Sequence, residues 1–329
     1  MNGTIVVLII LAVILFNVVK KKIDFPNDSE VDDSQDIDRD ESPKTHHQTN
    51  AGQSQPETQA QGTYAGPSAK SPSATAYRTN ANQGSRLFGI IGKPLEHSKS
   101  IVYFKQLFRQ NGINADYRNF EIDDISQLPD IISNNPNLCG LNVTIPYKED
   151  VIQYMDRLDD TAQQIGAVNV IKILRTEDKV ELIGYNTDAI GFMESIRPLV
   201  GVRKKALILG TGGSSKAVKY GLDQLGIESR FVSRNSSFDI LGYYELSPSI
   251  IEDSKIIVNC TPVGMWPNTS DYPAIPYADL TSDHLLYDVI YNPEETMFMH
   301  KGKYYGATVK NGYEMWQLQA DATWNIWNE

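Results

Sequence analysis

The sequence predicts an α/β fold with mainly parallel sheets, on three observations. From residue 86 onward, apolar runs of strand length alternate with stretches of helical periodicity, the pattern of strands joined by crossover helices. Ala206-Leu-Ile-Leu209 is one such run, and Gly210-Thr-Gly-Gly213 and then Ser214-Ser-Lys-Ala-Val218 follow at once. Strand, glycine turn and helix in that order form the geometry that receives a dinucleotide pyrophosphate. The first glycine makes the turn, the second admits backbone N–H groups to the phosphates, and the helix N-terminus favours negative charge. A second strand, residues 229–233, ends roughly 20 residues on, where the ribose-reading residue belongs. Arg234 follows it and no acid does, which suits a 2′-phosphate and favours NADP over NAD. The same turn also serves ordinary strand-to-helix connections, and Ser215 stands where the full fingerprint has its third glycine.

A chain of 329 residues has room for two domains of ordinary size. Its net charge of −11 argues against a nucleic-acid partner, whose affinity rests on phosphate neutralisation. Cys139 and Cys260 lie in no CxxC and near no histidine at ligand spacing, so no metal site and no disulfide framework are expected. Reduced thiols in a cytosolic setting are the simpler reading.

At the N-terminal end, residues 5–19 are apolar except for Asn17, and Lys20, Lys21 and Lys22 follow. The run is roughly 15 residues, below the ~20 that span a bilayer comfortably. No Lys or Arg precedes it, which is unlike a secretory signal. The positive-inside rule then places the lysines, and the chain after them, in the cytoplasm. Residues 1–22 are read as a membrane anchor at the inner face, with a start-site artefact as the bland alternative. Residues 23–85 are acidic in their first half and rich in Gln, Ser, Thr, Ala, Pro and Gly in the second. Such a stretch holds too few apolar side chains to offset ordering entropy and reads as a disordered linker.

The globular part then unfolds in order. Residues 87–92 read as a buried strand, and Ile101, Phe104, Leu107 and Phe108 mark one face of a helix ending near Gly112, with Ser98 or Ser100 as its cap. Residues 115–122 and 138–144 are further strands, the latter closed by Pro146, so Lys148 lies just past a strand end, where ligands bind in open α/β sheets. Residues 149–158 read as a helix, and 167–174 and 180–185 as a strand pair. Asp188 opens the next helix and by itself suits an N-cap. Beyond the glycine turn come a helix at 220–225, strands at 230–233, 255–260, 285–290 and 304–309, and a last helix over 313–328. The segment 236–254 is too short for a full helix and its connections.

These residues, taken in order, resemble the shikimate dehydrogenases. The resemblance is carried by GKPLEHSKS from Gly92, NVTIPYK from Asn142, GAVN from Gly166, Asn186-Thr-Asp188, the glycine turn, NCTPVGM from Asn259, Tyr291-Asn-Pro293 and NGYEMWQLQA from Asn311. It covers the chain from Arg86 onward. It implies an N-terminal α/β substrate domain (86–187 plus 313–329), a Rossmann-type NADP-binding domain (188–312) and an active site in the cleft between them. The activity implied is the reversible NADPH-dependent reduction of 3-dehydroshikimate to shikimate, a step of chorismate and aromatic amino-acid biosynthesis, in a monomer or homodimer.

By the same resemblance Lys148 and Asp188 are the catalytic pair. Ser98 and Ser100 hold the substrate carboxylate, Asn142, Thr144, Asn169 and Gln319 its ring hydroxyls, and Tyr291 lines the pocket. Gly210, Gly212, Gly213, Ser214, Arg234, Thr261 and Gly312 fall on the cofactor. The residue types suit the chemistry, since a ketone reduced by hydride needs a proton delivered to its oxygen, and a lysine ammonium can polarise and protonate it. The chain departs from the family pattern at Ile101 (proline), Ser214 (alanine) and Lys216 (arginine), and it lacks a second arginine after Arg234. A related substrate such as quinate, and a catalytically silent NADP(H)-sensing module on a membrane tether, are the competing readings.

Overall fold

Apolar runs with no polar alternation are strands covered on both faces, and the central runs of both sheets are of this kind. The computed structural model describes residues 85–96 and 98–329. The anchor reading of 5–19 and nearly all of the linker reading lie outside the described residues. Among the described residues no helix is long and apolar enough to cross a membrane.

The first sheet has the order β2-β1-β3-β5-β6-β4. Its strands are β1 (Arg86–Gly92), β2 (Ala115–Glu121), β3 (Leu138–Val143), β4 (Arg157–Leu158), β5 (Val170–Arg175) and β6 (Val180–Tyr185). β1, β2 and β3 run parallel, whereas β5 pairs antiparallel with both β3 and β6, so this sheet is mixed. Helix α1 (Ser100–Gln110) buries Tyr103, Phe104, Leu107 and Phe108. It ends at Asn111, before Gly112 at φ 61°, a left-handed turn that suits glycine. Its cap position is Lys99, although the Ser98 hydroxyl accepts from the Ser100 N–H at 3.4 Å. The helix expected at 149–158 is instead a short 3-10 turn (Asp150–Tyr154) followed by β4. Helices α2 (Leu128–Asn134) and α3 (Asp160–Ile165) complete this part, α3 capped by Asp159, whose carboxylate accepts from the N–H groups of Thr161 and Ala162.

The second sheet has the order β12-β11-β10-β7-β8-β9, all parallel. Its strands are β7 (Lys205–Leu209), β8 (Glu228–Ser233), β9 (Ile240–Gly242), β10 (Ile256–Asn259), β11 (Leu285–Asp288) and β12 (Thr308–Lys310). Read from the other edge this is the doubly wound order 3-2-1-4-5-6, whose switch point lies between β7 and β10. Helices α4 (Asp188–Val200), α5 (Gly213–Gln224), α6 (Pro248–Asp253) and α7 (Met297–Tyr304) flank it. No helix joins β8 to β9, and residues 236–254, expected to be too short for a full helix and its connections, hold β9, a 3-10 turn (Tyr243–Glu245) and the six-residue α6. The strand expected at 304–309 is the end of α7, the left-handed Gly306 at φ 87°, and β12.

The last helix, α8 (Tyr313–Asn328), returns to the first sheet. Trp327 stacks on Phe88 with ring centroids 4.7 Å apart and donates its indole N–H to the Ile171 carbonyl at 3.1 Å. Gly140 of β3 leaves the room it needs, since a Cβ there would stand 2.2 Å from Trp327 Nε1.

Candidate active site

Lys148 sits at the end of a turn built to hold it. The Tyr147 N–H closes the turn on the Thr144 carbonyl at 3.0 Å, and the Tyr147 hydroxyl reaches the Ile122 carbonyl at 2.8 Å. The Lys148 carbonyl accepts from the Val168 N–H at 2.7 Å. The backbone is therefore fixed on both sides of the side chain. The Lys148 ammonium donates to Asp188 Oδ2 at 2.5 Å and to Ser214 Oγ at 3.0 Å, with the lysine side chain 12% and the aspartate 9% exposed.

Asp188 does not cap α4. The cap position belongs to Thr187, and the Asp188 carboxylate turns to Lys148 on one oxygen and to the Asn169 amide, 2.9 Å away, on the other. Asn169 is itself fixed, because its Oδ1 accepts from the Thr187 N–H at 2.7 Å. Its amide also faces the Thr187 hydroxyl at 2.9 Å and Gln319 Oε1 at 3.4 Å. Thus Lys148, Asp188, Asn169, Gln319 and Ser214, expected from sequence, form one connected network. Ser100 and Asn142 meet through a residue the sequence reading missed, Tyr117, whose hydroxyl donates to Asn142 Oδ1 at 2.8 Å and shares a hydrogen bond with Ser100. Thr187 and Thr323 were missed as well. Both are fully buried, and their hydroxyls lie 3.2 Å apart. Thr323 was within reach of sequence reasoning, since it lies four residues after Gln319 and so on the same helix face.

Tyr291 packs against Trp316 with centroids 5.7 Å apart, and its hydroxyl accepts from the Lys99 N–H, beside Ser98 and Ser100. Burial raises the Tyr291 phenol above its ordinary value. Thr144 begins the turn to Lys148; its N–H is held by the Ile91 carbonyl at 3.0 Å.

The glycine turn fits the role expected of it. Gly210 adopts φ 104°, which L side chains rarely take, and a Cβ at Gly212 would have nothing within 4 Å. The N-terminus of α5 has no side-chain cap, so its N–H groups face that open space. A Cβ at Gly213 would stand 2.8 Å from Lys148 Cβ, so the turn lies directly against the lysine. Lys216 on α5 adds an ion pair to Glu149 at 2.5 Å. Thr261 follows β10 across the switch point from Gly210, its backbone N–H and hydroxyl held by Asn259 Oδ1 at 3.1 and 2.6 Å. Arg234 is exposed at the end of β8, and Gly312 precedes α8. Burial pushes the Cys260 thiol well above its usual value, so no thiolate stands beside the pair.

Asp288 braces the loops that border this cleft. Its carboxylate accepts from Thr296 Oγ1 at 2.6 Å, Asn259 Nδ2 at 3.1 Å and the Ile290 N–H at 3.1 Å. Burial outweighs these bonds and raises its pKa to about 6. Between pH 3.8 and about 6 the folded state keeps a proton that the unfolded chain has lost, so this group's contribution to stability falls as pH rises and is level above pH 6. Two pKa units correspond to roughly 3 kcal/mol. Urea unfolding of the wild type and of Asp288→Asn should show their stability difference shifting by that order across this window. A constant difference would show that Asp288 titrates normally.

The model of the shikimate dehydrogenase substrate binding domain matches residues 90–171. The chain is 36% identical over 263 residues to the shikimate dehydrogenase (NADP(+)) of Methanococcus vannielii, an alignment covering 73% of this chain and 90% of that protein. A shikimate dehydrogenase solved in complex with NADP+ superposes with a TM-score of 0.64 at 32% identity, covering 74% of this chain and 90% of the other. The enzyme of Listeria monocytogenes, solved with shikimate and NAD, superposes with a TM-score of 0.65 at 26% identity, covering 74% and 92%.

Proposed function

The chain belongs to the shikimate dehydrogenase family, and from that premise we infer that it catalyses the reversible NADPH-dependent reduction of 3-dehydroshikimate to shikimate. The observation that carries this reading is the buried Lys148–Asp188 pair held directly against a glycine turn fit for a dinucleotide. Gly210, Gly212, Gly213 and Ser214 would hold the pyrophosphate of NADP, Arg234 its 2′-phosphate, and Thr261 and Gly312 its nicotinamide half. When bound, the cofactor supplies the hydride.

A lysine ammonium has three N–H donors. Asp188 and Ser214 each take one, and the third is left for the substrate oxygen. Lys148 polarises the ketone through that hydrogen bond and gives its proton to the oxygen as charge develops there; in the reverse direction it takes the proton back. Asp188 orients the ammonium and accepts from a neighbouring substrate hydroxyl, while Asn169 holds the carboxylate in place. Ser98 and Ser100 bind the substrate carboxylate, Asn142, Thr144, Asn169 and Gln319 the ring hydroxyls, and Tyr291 closes the pocket. On this reading 86–187 with 313–329 is the substrate domain and 188–312 the nucleotide domain. Residues 5–19 hold the enzyme at the inner face of a membrane, a point that fractionation of the full-length protein decides.

The test is an absorbance assay at the NADPH band with shikimate and either NADP or NAD. Turnover with NADP, at a lower KM than for NAD, is the expected result. Turnover of quinate alone would move the assignment to that substrate, and cofactor binding without any turnover would favour the silent sensor.

A further inference from the structure

We propose that Tyr103 and Asp321 are positioning residues for substrate recognition: the hydrogen bond from the Tyr103 hydroxyl to the Asp321 carboxylate sets the span between the serines at the head of α1 and Gln319 on α8. The inference rests on the reading of Ser98, Ser100 and Gln319 as substrate ligands. The chemistry of the reaction calls for neither Tyr103 nor Asp321, and 218 positions separate them in the chain. Ser100 opens α1, and Tyr103 lies about one turn further on. Gln319 and Asp321 share one stretch of α8. The bond therefore joins the two helices close to the groups that would hold the carboxylate and the ring hydroxyls of the substrate.

The contacts around this bond are aromatic. Phe104 meets Trp327 and Phe108 meets Trp324, each at a centroid distance of 5.3 Å, and Tyr103 meets Trp316 edge-on at 5.5 Å. Apolar burial is non-directional, so it holds the helices together without fixing their register along the axis. A hydrogen bond is directional, and one made to a carboxylate is roughly twice as strong as one between neutral groups. Tyr103 is only 2% exposed. Burial, with the Asp321 charge beside it, holds the Tyr103 phenol far above its ordinary value, so the hydroxyl stays a donor. Burial also raises the Asp321 carboxyl, and the bond from Tyr103 works against that rise. Apolar side chains at both positions would pack at less cost than a half-buried acid; what they would lose is the fixed distance. A second path leads to the same place. Trp316, which touches Tyr103, packs on Tyr291 at 5.7 Å, and the Tyr291 hydroxyl accepts from the Lys99 N–H between the two serines. The pair stands behind the pocket wall and acts through it.

The experiment is steady-state kinetics on the full-length protein with shikimate and NADP. It compares wild type with Tyr103→Phe, Asp321→Ala, their double variant, Asp321→Asn and, as a control for the pocket, Gln319→Ala. Tyr103→Phe and Asp321→Ala should each raise the KM for shikimate about fivefold, while kcat and the KM for NADP change less than about twofold. The double variant should lie within about twofold of the worse single variant, since each change removes the same bond. Asp321→Asn, whose amide oxygen still accepts from the phenol, should keep the shikimate KM within about twofold of wild type. A shikimate KM unchanged by Tyr103→Phe, a fully additive double variant, or an Asp321→Asn loss equal to that of Asp321→Ala overturns the proposal. So does a parallel loss in kcat and both KM values, the mark of a general loosening of the fold. In each of these cases a raised shikimate KM in Gln319→Ala leaves the pocket assignment intact. A shikimate KM unchanged by Gln319→Ala overturns the pocket assignment and the proposal with it. Tyr103→Phe keeps the ring packing and decides the matter should Asp321→Ala not fold.

Discussion

Lys148→Ala should lower kcat about a thousandfold, with the KM for NADP nearly unchanged. The ammonium is the one described group with donors fixed on Asp188 and Ser214 and a third to spare, so alanine removes both the polarising charge and the proton source. The groups proposed to bind substrate, on Ser98, Ser100, Asn142 and Gln319, are left in place, which is why the loss should fall on kcat. The variant also leaves the Asp188 carboxylate buried with, among the described residues, only the Asn169 amide to hold its side chain, a costly state for a charge. Some loss of thermal stability should therefore accompany the loss of rate. Steady-state assay and an NADPH binding titration separate the two effects. A kcat within tenfold of wild type, with cofactor binding intact, would remove Lys148 from the mechanism.

Gly312→Ala should be the most damaging single-methyl change near the site. The backbone there has φ −80°, which alanine accepts freely, so the cost is purely steric. The added Cβ would stand 2.0 Å from the Val289 carbonyl oxygen and 2.4 Å from its carbon. Both are backbone atoms of a chain pinned by the Val289 N–H on the Asn259 carbonyl at 3.0 Å and by the Gly312 N–H on the Ile290 carbonyl at 3.0 Å. Neither side can yield cheaply, so the start of α8 must lift away. On the order of 3 kcal/mol follows, about 6–12 °C in Tm. Since α8 carries Gln319 and Thr323 into the network, kcat/KM should fall as well. A variant with wild-type melting and rates would mean that the helix start is far more yielding than its contacts imply.

The glycine turn was legible because it is a local pattern, whereas Lys148 and Asp188, 40 positions apart, were paired only through the family resemblance. The order of the strands was not legible, and neither was the antiparallel pairing of β5 with β3, since such partners are set by tertiary contacts, whereas the pairing of β5 with β6 across a short polar turn was. The 149–158 stretch shows the limit well. Its apolar residues suit a helix, yet β4 pairs with β6 and takes the chain out of helical geometry after one 3-10 turn. At 304–309, aromatic and β-branched residues favour a strand, but Tyr304 still belongs to α7, which the left-handed Gly306 separates from β12. Tyr117 was hidden for another reason. A buried hydroxyl that orders another side chain has no motif of its own, and it becomes visible only once its partners are placed.

The return of α8 to the first sheet has a consequence for how the protein is made. Trp327 meets Ile171, which lies 156 residues earlier in the chain. At ribosomal speed that interval takes about 8–30 s. During it, Phe88 and the face of β1 and β3 that Trp327 covers have no lid, while every strand of the second sheet is synthesised. The half of the molecule written first is finished last, and nascent chains should depend on chaperone shelter most during that interval.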